Sequence, residues 1–321
     1  MYTQISKNID EAIRLLTQNE LVAIPTETVY GLAGNALNAL AVAKIFEVKN
    51  RPTFDPLIVH THSANEFQHF AQNIPDLVYE LADAFLPAPL TFVLQKRPNI
   101  PFLVTSGGNT VALRVPNHLL TLELLRNLHF PLAAPSANPF GYVSPTSARH
   151  VADQLGHKIP LILDGGFCQV GLESTIIGFD EVGDIVVFRL GGLPLEAIEK
   201  KMDKKIKNIN LSSSKPNAPG MLLSHYSPQK KLIVGDIKAN LIEFGHLNLG
   251  IISFNTFFET IAPQHQIQLS VDCNVSQAAT NLFSALRTMD KIEGIDLILT
   301  EFVPDVGLGR AINDRLTRAS V

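Results

Sequence analysis

The chain has no tryptophan and two cysteines among 321 residues. Cys168 and Cys273 stand far apart, so neither a disulfide framework nor a cysteine zinc cluster is expected. No apolar run approaches the roughly 20 residues that a membrane-spanning helix needs. The first residues, MYTQISKNIDEA, lack the basic-then-apolar pattern of a secretory leader, and the expected location is the cytoplasm. Charged residues make up 17% and the formal net charge is −4, which counts against generic nucleic-acid binding. Any polyanionic ligand has to be met by a local cluster of cations. There is no phosphate loop of the form GxxxxGK followed by Ser or Thr, no GxGxxG after a strand and no GxSxG elbow. His60 and His62 fall on one face of a strand, but no third ligand accompanies them, so no metal site is expected there. There are no internal repeats.

What is present reads as an α/β protein long enough for two domains. Helical periodicity covers Ser6 to Gln18, with Ile9, Ile13 and Leu16 on one face, and Leu40 to Val48. Strands are expected at Leu21–Ile24, Pro56–His60, Leu90–Lys96, Thr110–Val115, Leu161–Asp164, Thr175–Phe179 and Ile185–Leu190, with a helix following from Leu195. Their number and closeness favour a twisted mixed sheet with helices packed on it over a simple βαβ repeat. Lys200, Lys201, Lys204, Lys205 and Lys207 are followed by LSSSKPNAPG, an aperiodic stretch that reads as a linker. The expected organisation is 1–208, a linker at 209–229, and a small Rossmann-like α/β domain at 230–321. In that last part KKLIVGD, LGIISF and IDLILT are three β runs. Between them Ser276–Asp290 puts Ala279, Leu282, Phe283, Leu286 and Met289 on one helical face. GLGRA, Gly307 to Ala311, reads as a loop ahead of a terminal helix.

Four stretches carry more polar chemistry than turns require. TETVYG, Thr26 to Gly31, leaves a strand through Pro25 with two threonines, a glutamate and a tyrosine, and is expected to wall a site. In KNRPTFDP, Pro52 and Pro56 force an extended course in which Lys49 and Arg51 alternate, an arrangement suited to a polyphosphate. A helix C-terminus also favours cations for its own sake. In PSANPFGYVSP, Ser144 and Pro145 read as N-cap and first residue of the next helix, leaving Ser136 and Asn138 in a loop able to meet an anion. GLEST precedes an apolar strand whose sheet carries Arg189 at its far end. Arg114, inside the strand pattern VALRVP, is placed to fork onto a carboxylate.

In this order, PTETVYGL, KNRP with PLIVH, PLT, VALRVPNH, APSAN with SPT, DGG and ESTIIGF resemble the threonylcarbamoyl-AMP synthase family. APGMLLSHYSP and GLGRAINDRLTRAS are similar to its long, two-domain form. The resemblance implies a YrdC-like catalytic domain whose sheet and helices enclose a concave, positively charged cavity. It implies synthesis of L-threonylcarbamoyl-AMP and pyrophosphate from L-threonine, bicarbonate or CO2, and ATP with Mg2+. A downstream complex would then pass the threonylcarbamoyl group to an adenosine beside the tRNA anticodon. By motif, Thr28, His60, Arg114 and Ser174 would hold L-threonine. Lys49, Arg51, Asp55, Thr110, Ser136, Asn138, Ser144, Arg189 and Tyr226 would meet ATP, with Lys49 and Arg51 stabilising charge and no covalent nucleophile involved. No protein ligands for a metal are implied with it, nor a membrane; a weak direct tRNA contact is. The stretch Ser212–Pro228 would act as a lid. The chain departs from the family pattern at Asp55, where asparagine is usual, at Leu86 and Ala88, where tryptophan and glycine are usual, and at Leu190, where proline is usual. Two rivals remain in view: a non-catalytic RNA-binding protein using the concave surface, against which the acidic balance counts, and the carbamoyl-adenylate-forming part of hydrogenase maturation proteins, whose acylphosphatase and zinc-finger segments are not found here.

Overall fold

The computed structural model describes residues 2–209 and 225–321, so most of the expected lid stretch, Ser212–Pro228, lies outside the described residues. The chain divides into two units. The first takes in residues 2–140, 145–169 and 173–209, and the second 141–144, 170–172 and 225–321.

The first unit opens with β1 (Gln4–Ser6), α1 (Ile9–Thr17), β2 (Val22–Ile24), β3 (Gly31–Asn35) and α2 (Ala39–Lys49). The helix expected from Ser6 starts at Ile9 because the Asn8 side chain accepts from the Glu11 amide and caps it, which leaves Gln4–Ser6 free to form an edge strand. β3 was not among the expected strands: its two glycines have poor strand propensity, and antiparallel pairing with β2 overrides that. Then come β4 (Ile58–His60), α3 (Phe67–Phe70), α4 (Asp76–Phe85), β5 (Leu90–Gln95), β6 (Thr110–Arg114), α5 (Leu119–Arg126) and β7 (Leu132–Ala133). α6 (Ala148–Leu155), β8 (Leu161–Leu163), β9 (Thr175–Phe179), β10 (Ile185–Arg189), α7 (Leu195–Met202) and β11 (Asn208–Ile209) complete it. The cap of α6 is Ser147, whose hydroxyl accepts from the His150 amide at 3.3 Å. The expected cap and first residue, Ser144 and Pro145, are not helical, because the later serine already serves the free amides of the first turn.

Among the described residues these strands form one mixed eleven-stranded sheet, in the order β1-β8-β2-β3-β7-β4-β6-β5-β9-β10-β11. One core joins α1 and α5 to β2 and β8 through Leu16, Val22, Leu124, Leu161 and Leu163. Another gathers Ile58, Val93, Ala112, Ile176 and Phe188 from adjacent strands. Neighbours in this sheet come from distant parts of the sequence, which is how residues far apart in the chain reach a common edge.

The second unit contains β12 (Lys231–Val234), α8 (Ile237–Phe244), β13 (Leu249–Ser253), β14 (Gln266–Gln268), α9 (Val275–Lys291), β15 (Leu297–Thr300) and α10 (Leu308–Ala319). Its described strands are all parallel, in the order β12-β15-β13-β14. Leu249, Leu297 and Leu299 pack with Leu241 and Phe244 of α8, while Gly250, one residue along, faces Met289 of α9. The period of two thus places a helix on each face. The fourth strand, β14, was not among the expected ones: it is only three residues long, although Ile267, Leu269 and Val271 alternate with polar residues there. GLGRA is not a loop: α10 begins at Leu308, and Gly309 inside it lets the Pro304 carbonyl come too close for any Cβ.

Candidate active site

Five neighbouring strands of the first unit each deliver a polar side chain to one edge. β4 and β6 run parallel, so their last residues His60 and Arg114 stand side by side. β5 runs antiparallel to β6 and brings Thr91 opposite Arg114. β9, parallel to β5, starts beside it, so Ser174 just precedes the pairing of Leu90 with Thr175. β10 returns antiparallel, with Arg189 opposite Ile176.

Arg114 is the centre of one group. Its Nη2 donates to Thr28 Oγ1 at 2.9 Å and lies 2.8 Å from Glu27 Oε1, and both members of this ion pair are about 4% exposed. The stretch that carries Glu27 and Thr28 is folded by Thr26, whose hydroxyl accepts from the amides of Thr28 and Val29, donates to the Val29 carbonyl and sits 2.7 Å from Thr28 Oγ1. Tyr30 anchors the end of that turn: its hydroxyl donates to the Gly166 carbonyl at 2.7 Å and accepts from the Gly165 amide. The threonines, glutamate and tyrosine of this stretch therefore build a buried turn beside an arginine. Burial, then the Arg114 charge, hold His60 down to about 3, so its ring is neutral near pH 7. The Cys168 thiol is pushed up by burial and by Glu27, and it too is uncharged.

From Thr91, the cross-strand neighbour of Arg114, a chain of bonds leads to a second group. Thr91 Oγ1 is 2.7 Å from Ser174 Oγ, and Arg189 donates to that oxygen from Nη2 and to the Ser174 carbonyl from Nε, both at 3.0 Å. Gly191 makes this possible, since a Cβ there would collide with the backbone of Glu173 and Ser174. Arg189 also faces Asp55, as do Arg51 and Lys49. Arg51 pairs with Asp55 at 2.8 Å, and Lys49 Nζ donates to the carbonyls of Ser136 and Asn138 at 2.6 and 2.5 Å. Lys49 and Arg51 do not alternate along one extended segment, as the prolines suggested. Lys49 is the last residue of α2, Asn50 turns left-handed (φ 52°) to end the helix, and Arg51 follows. Burial, followed by the Arg51 charge, holds the Lys49 ammonium well below its ordinary range, with Asp55 opposing. Burial likewise raises Asp55, with the three cations opposing it.

Of the residues expected at the site, Thr28, His60, Arg114 and Ser174 meet at this edge, and Lys49, Arg51, Asp55, Ser136, Asn138 and Arg189 form the adjoining group. Thr110 is exposed at the other end of β6, opposite Gln95, about 13 Å of strand away from Arg114. Ser144 and Tyr226 belong to the second unit. Ser144 is buried there, its carbonyl accepting from Arg287 Nε at 3.2 Å. Tyr226 is buried too, stacked on Phe283 with the Arg315 guanidinium over its ring. One contributor, Thr91, was absent from the expected set, and Glu27 was expected only as part of the wall formed by Thr26 to Gly31. Thr91 had the same signal as Arg114, a polar residue inside an apolar strand run. Glu27 sat in view between two threonines, but the sequence does not show which cation it meets. His62 does not join His60; it lies outside β4 with Nδ1 3.2 Å from Glu66.

The chain matches a family model described as telomere recombination, that of Sua5, YciO and YrdC, over residues 14–191. A second model, described as the C-terminal domain of threonylcarbamoyl-AMP synthase, matches residues 193–321. The chain is 40% identical to the threonylcarbamoyl-AMP synthase of Pyrococcus abyssi, over 96% of this chain and 93% of that protein. It is 37% identical to the Bacillus subtilis protein of the same name, over 97% and 92%. Among solved structures, the crystal structure of P. abyssi Sua5 complexed with L-threonine matches with a TM-score of 0.91 at 39% identity, covering 100% of this chain and 98% of that one.

Proposed function

Since the chain belongs to the threonylcarbamoyl-AMP synthase family along nearly its whole length, we propose that it makes L-threonylcarbamoyl-AMP and pyrophosphate from L-threonine, bicarbonate or CO2, and ATP. The observation that carries this reading is the polar edge of the sheet, where an arginine suited to a carboxylate lies opposite Thr91, and Thr91, bonded to Ser174 and through it to Arg189, leads to a cluster of cations suited to phosphates.

The chemistry needs no covalent nucleophile. The threonine ammonium gives up a proton, its free amine bonds to the carbon of CO2 as a C=O π bond opens onto oxygen, and loss of a second N–H proton to solvent leaves the carbamate. A carbamate oxygen then attacks the α-phosphorus of ATP, and the bond to the pyrophosphate oxygen breaks. The site has to hold these groups close and in line, and to neutralise phosphate charge. Arg114 holds the amino-acid carboxylate, and Thr28, Ser174 and the neutral His60 ring surround the rest of that substrate. Lys49, Arg51 and Arg189 face the phosphates, Ser136 and Asn138 line the loop beside them, and Thr110, Ser144 and Tyr226 are assigned to the nucleotide by motif. Mg2+ accompanies ATP and shares its charge. Residues 1–208 carry the catalysis, and 230–321 form the second domain beyond the 209–229 linker. The product is an activated acyl donor for a complex that modifies tRNA beside the anticodon, in the cytoplasm, and any contact of this chain with tRNA is weak.

The test is pyrophosphate release from ATP and Mg2+, with L-threonine and bicarbonate omitted in turn. Release that needs both supports the reading; release indifferent to threonine, or none from folded protein, contradicts it.

A further inference from the structure

Glu27 and Arg114 form a buried ion pair that leaves part of each group unserved. Neither Glu27 oxygen meets a hydrogen-bond donor, Oε1 having only the 2.8 Å ion-pair contact with Arg114 and Oε2 none, and Arg114 Nε, also buried, meets no acceptor. A buried charged group with unmet hydrogen bonds is costly; Thr26 already closes the turn, so the Glu27 carboxylate serves there only as the counter-charge of Arg114. The uncharged His60 ring and Cys168 thiol stand beside the pair. His118 lies toward Glu27 as well, with burial lowering its tendency to take a proton.

We propose that Glu27 and Arg114 together form the receptor for a zwitterionic α-carbon, with Arg114 taking the α-carboxylate and Glu27 Oε2 accepting from the α-ammonium of the same amino acid. The proposal rests on the reading that an α-amino acid is the substrate, and it assigns a charged partner to the ammonium, where the motif residues Thr28, His60 and Ser174 offer only neutral acceptors. Charge balance supports it. The empty pair sums to zero, and a zwitterion adds one charge of each sign beside its opposite. A plain carboxylate bound to Arg114 would leave two anions sharing one cation in a nearly dry site, which is unfavourable. The pair thus selects for a free amine as well as a free carboxylate, and disfavours hydroxy acids and N-acylated amino acids.

Calorimetric titration of the full chain with L-threonine and with its 2-hydroxy counterpart, 2,3-dihydroxybutyrate, tests this without turnover. The wild type is expected to prefer L-threonine by about ten- to a hundredfold, the range of a charge-assisted hydrogen bond. Glu27→Gln, shown folded by circular dichroism, is expected to bind the two within about threefold. Glu27→Asp draws the carboxylate back by one methylene and is expected to weaken L-threonine while leaving dihydroxybutyrate unchanged. It stands in if the glutamine variant fails to fold. Wild-type discrimination retained in Glu27→Gln, or equal loss of both compounds in Glu27→Asp, overturns the proposal. A wild type that binds dihydroxybutyrate as tightly as L-threonine overturns it as well. A wild type that binds neither compound overturns instead the amino-acid reading on which the proposal stands.

Discussion

Arg51 and Asp55 form an ion pair at 2.8 Å whose side chains are 4% and 0% exposed. The same guanidinium donates to the Asp55 carbonyl at 3.0 Å and to that of Pro56 at 2.8 Å, so one arginine fastens the loop between α2 and β4. Lys49 and Arg189 face the carboxylate as well. At a position where the family resemblance leads one to expect a neutral asparagine, this chain has a carboxyl group, and the structure gives it work as the counter-charge to three buried cations.

Asp55→Asn keeps the shape and removes that charge. Its melting temperature without nucleotide is expected to fall below that of the wild type, because buried cations lose their counter-charge. The upward shift produced by ATP and Mg2+ is expected to grow, because ATP then supplies what the carboxylate did. Differential scanning fluorimetry with and without nucleotide checks both. An unchanged midpoint together with an unchanged shift contradicts this role for Asp55.

His60 predicts a pH dependence of stability. Its folded pKa is about 3 against an ordinary 6.5. Between those values the unfolded chain takes up a proton that the folded chain refuses, so stability is full above 6.5 and drains away as the pH falls toward 3. One pH unit is worth about 1.4 kcal/mol, so lowering the pH from 7 to 5 is expected to cost about 2 kcal/mol through this residue. His60→Gln removes that share. Urea unfolding at the two pH values should show the wild type losing about 2 kcal/mol more than the variant, and equal losses contradict a neutral buried His60.

Gly191 predicts a link from packing to the substrate. Any side chain there meets the backbone of Glu173 and Ser174 rather than a movable side-chain tip. Gly191→Ala is therefore expected to cost about 1–3 kcal/mol in stability and to shift Ser174 off both Thr91 and Arg189. Thermal unfolding measures the first, and a raised KM for L-threonine the second. A variant with wild-type stability and KM shows that the chain of bonds does not depend on this contact.

Much of the fold was legible because strands such as Thr175–Phe179 and the helix Val275–Lys291 have strong apolar periods. β3 and β14 were not, the first being glycine-rich and the second only three residues long, and both are held by pairing rather than propensity. The individual site residues stood out as polar groups at strand ends, yet their assembly did not. His60, Arg114, Thr91, Ser174 and Arg189 meet only because the strand order β4-β6-β5-β9-β10 departs from chain order, and no local pattern encodes that order. The same reason hid the partner of Glu27, and Lys49 was misplaced because its helix ends on a left-handed asparagine rather than on the following proline.

The most direct test of the account is to supply 13C-bicarbonate with L-threonine, ATP and Mg2+ and to weigh the nucleotide product by mass spectrometry. The account predicts one species containing AMP and threonine joined through a single added carbon, labelled with 13C and formed one-for-one with pyrophosphate. A threonine–AMP product without the labelled carbon, or pyrophosphate released with no threonine-bearing nucleotide, would contradict it.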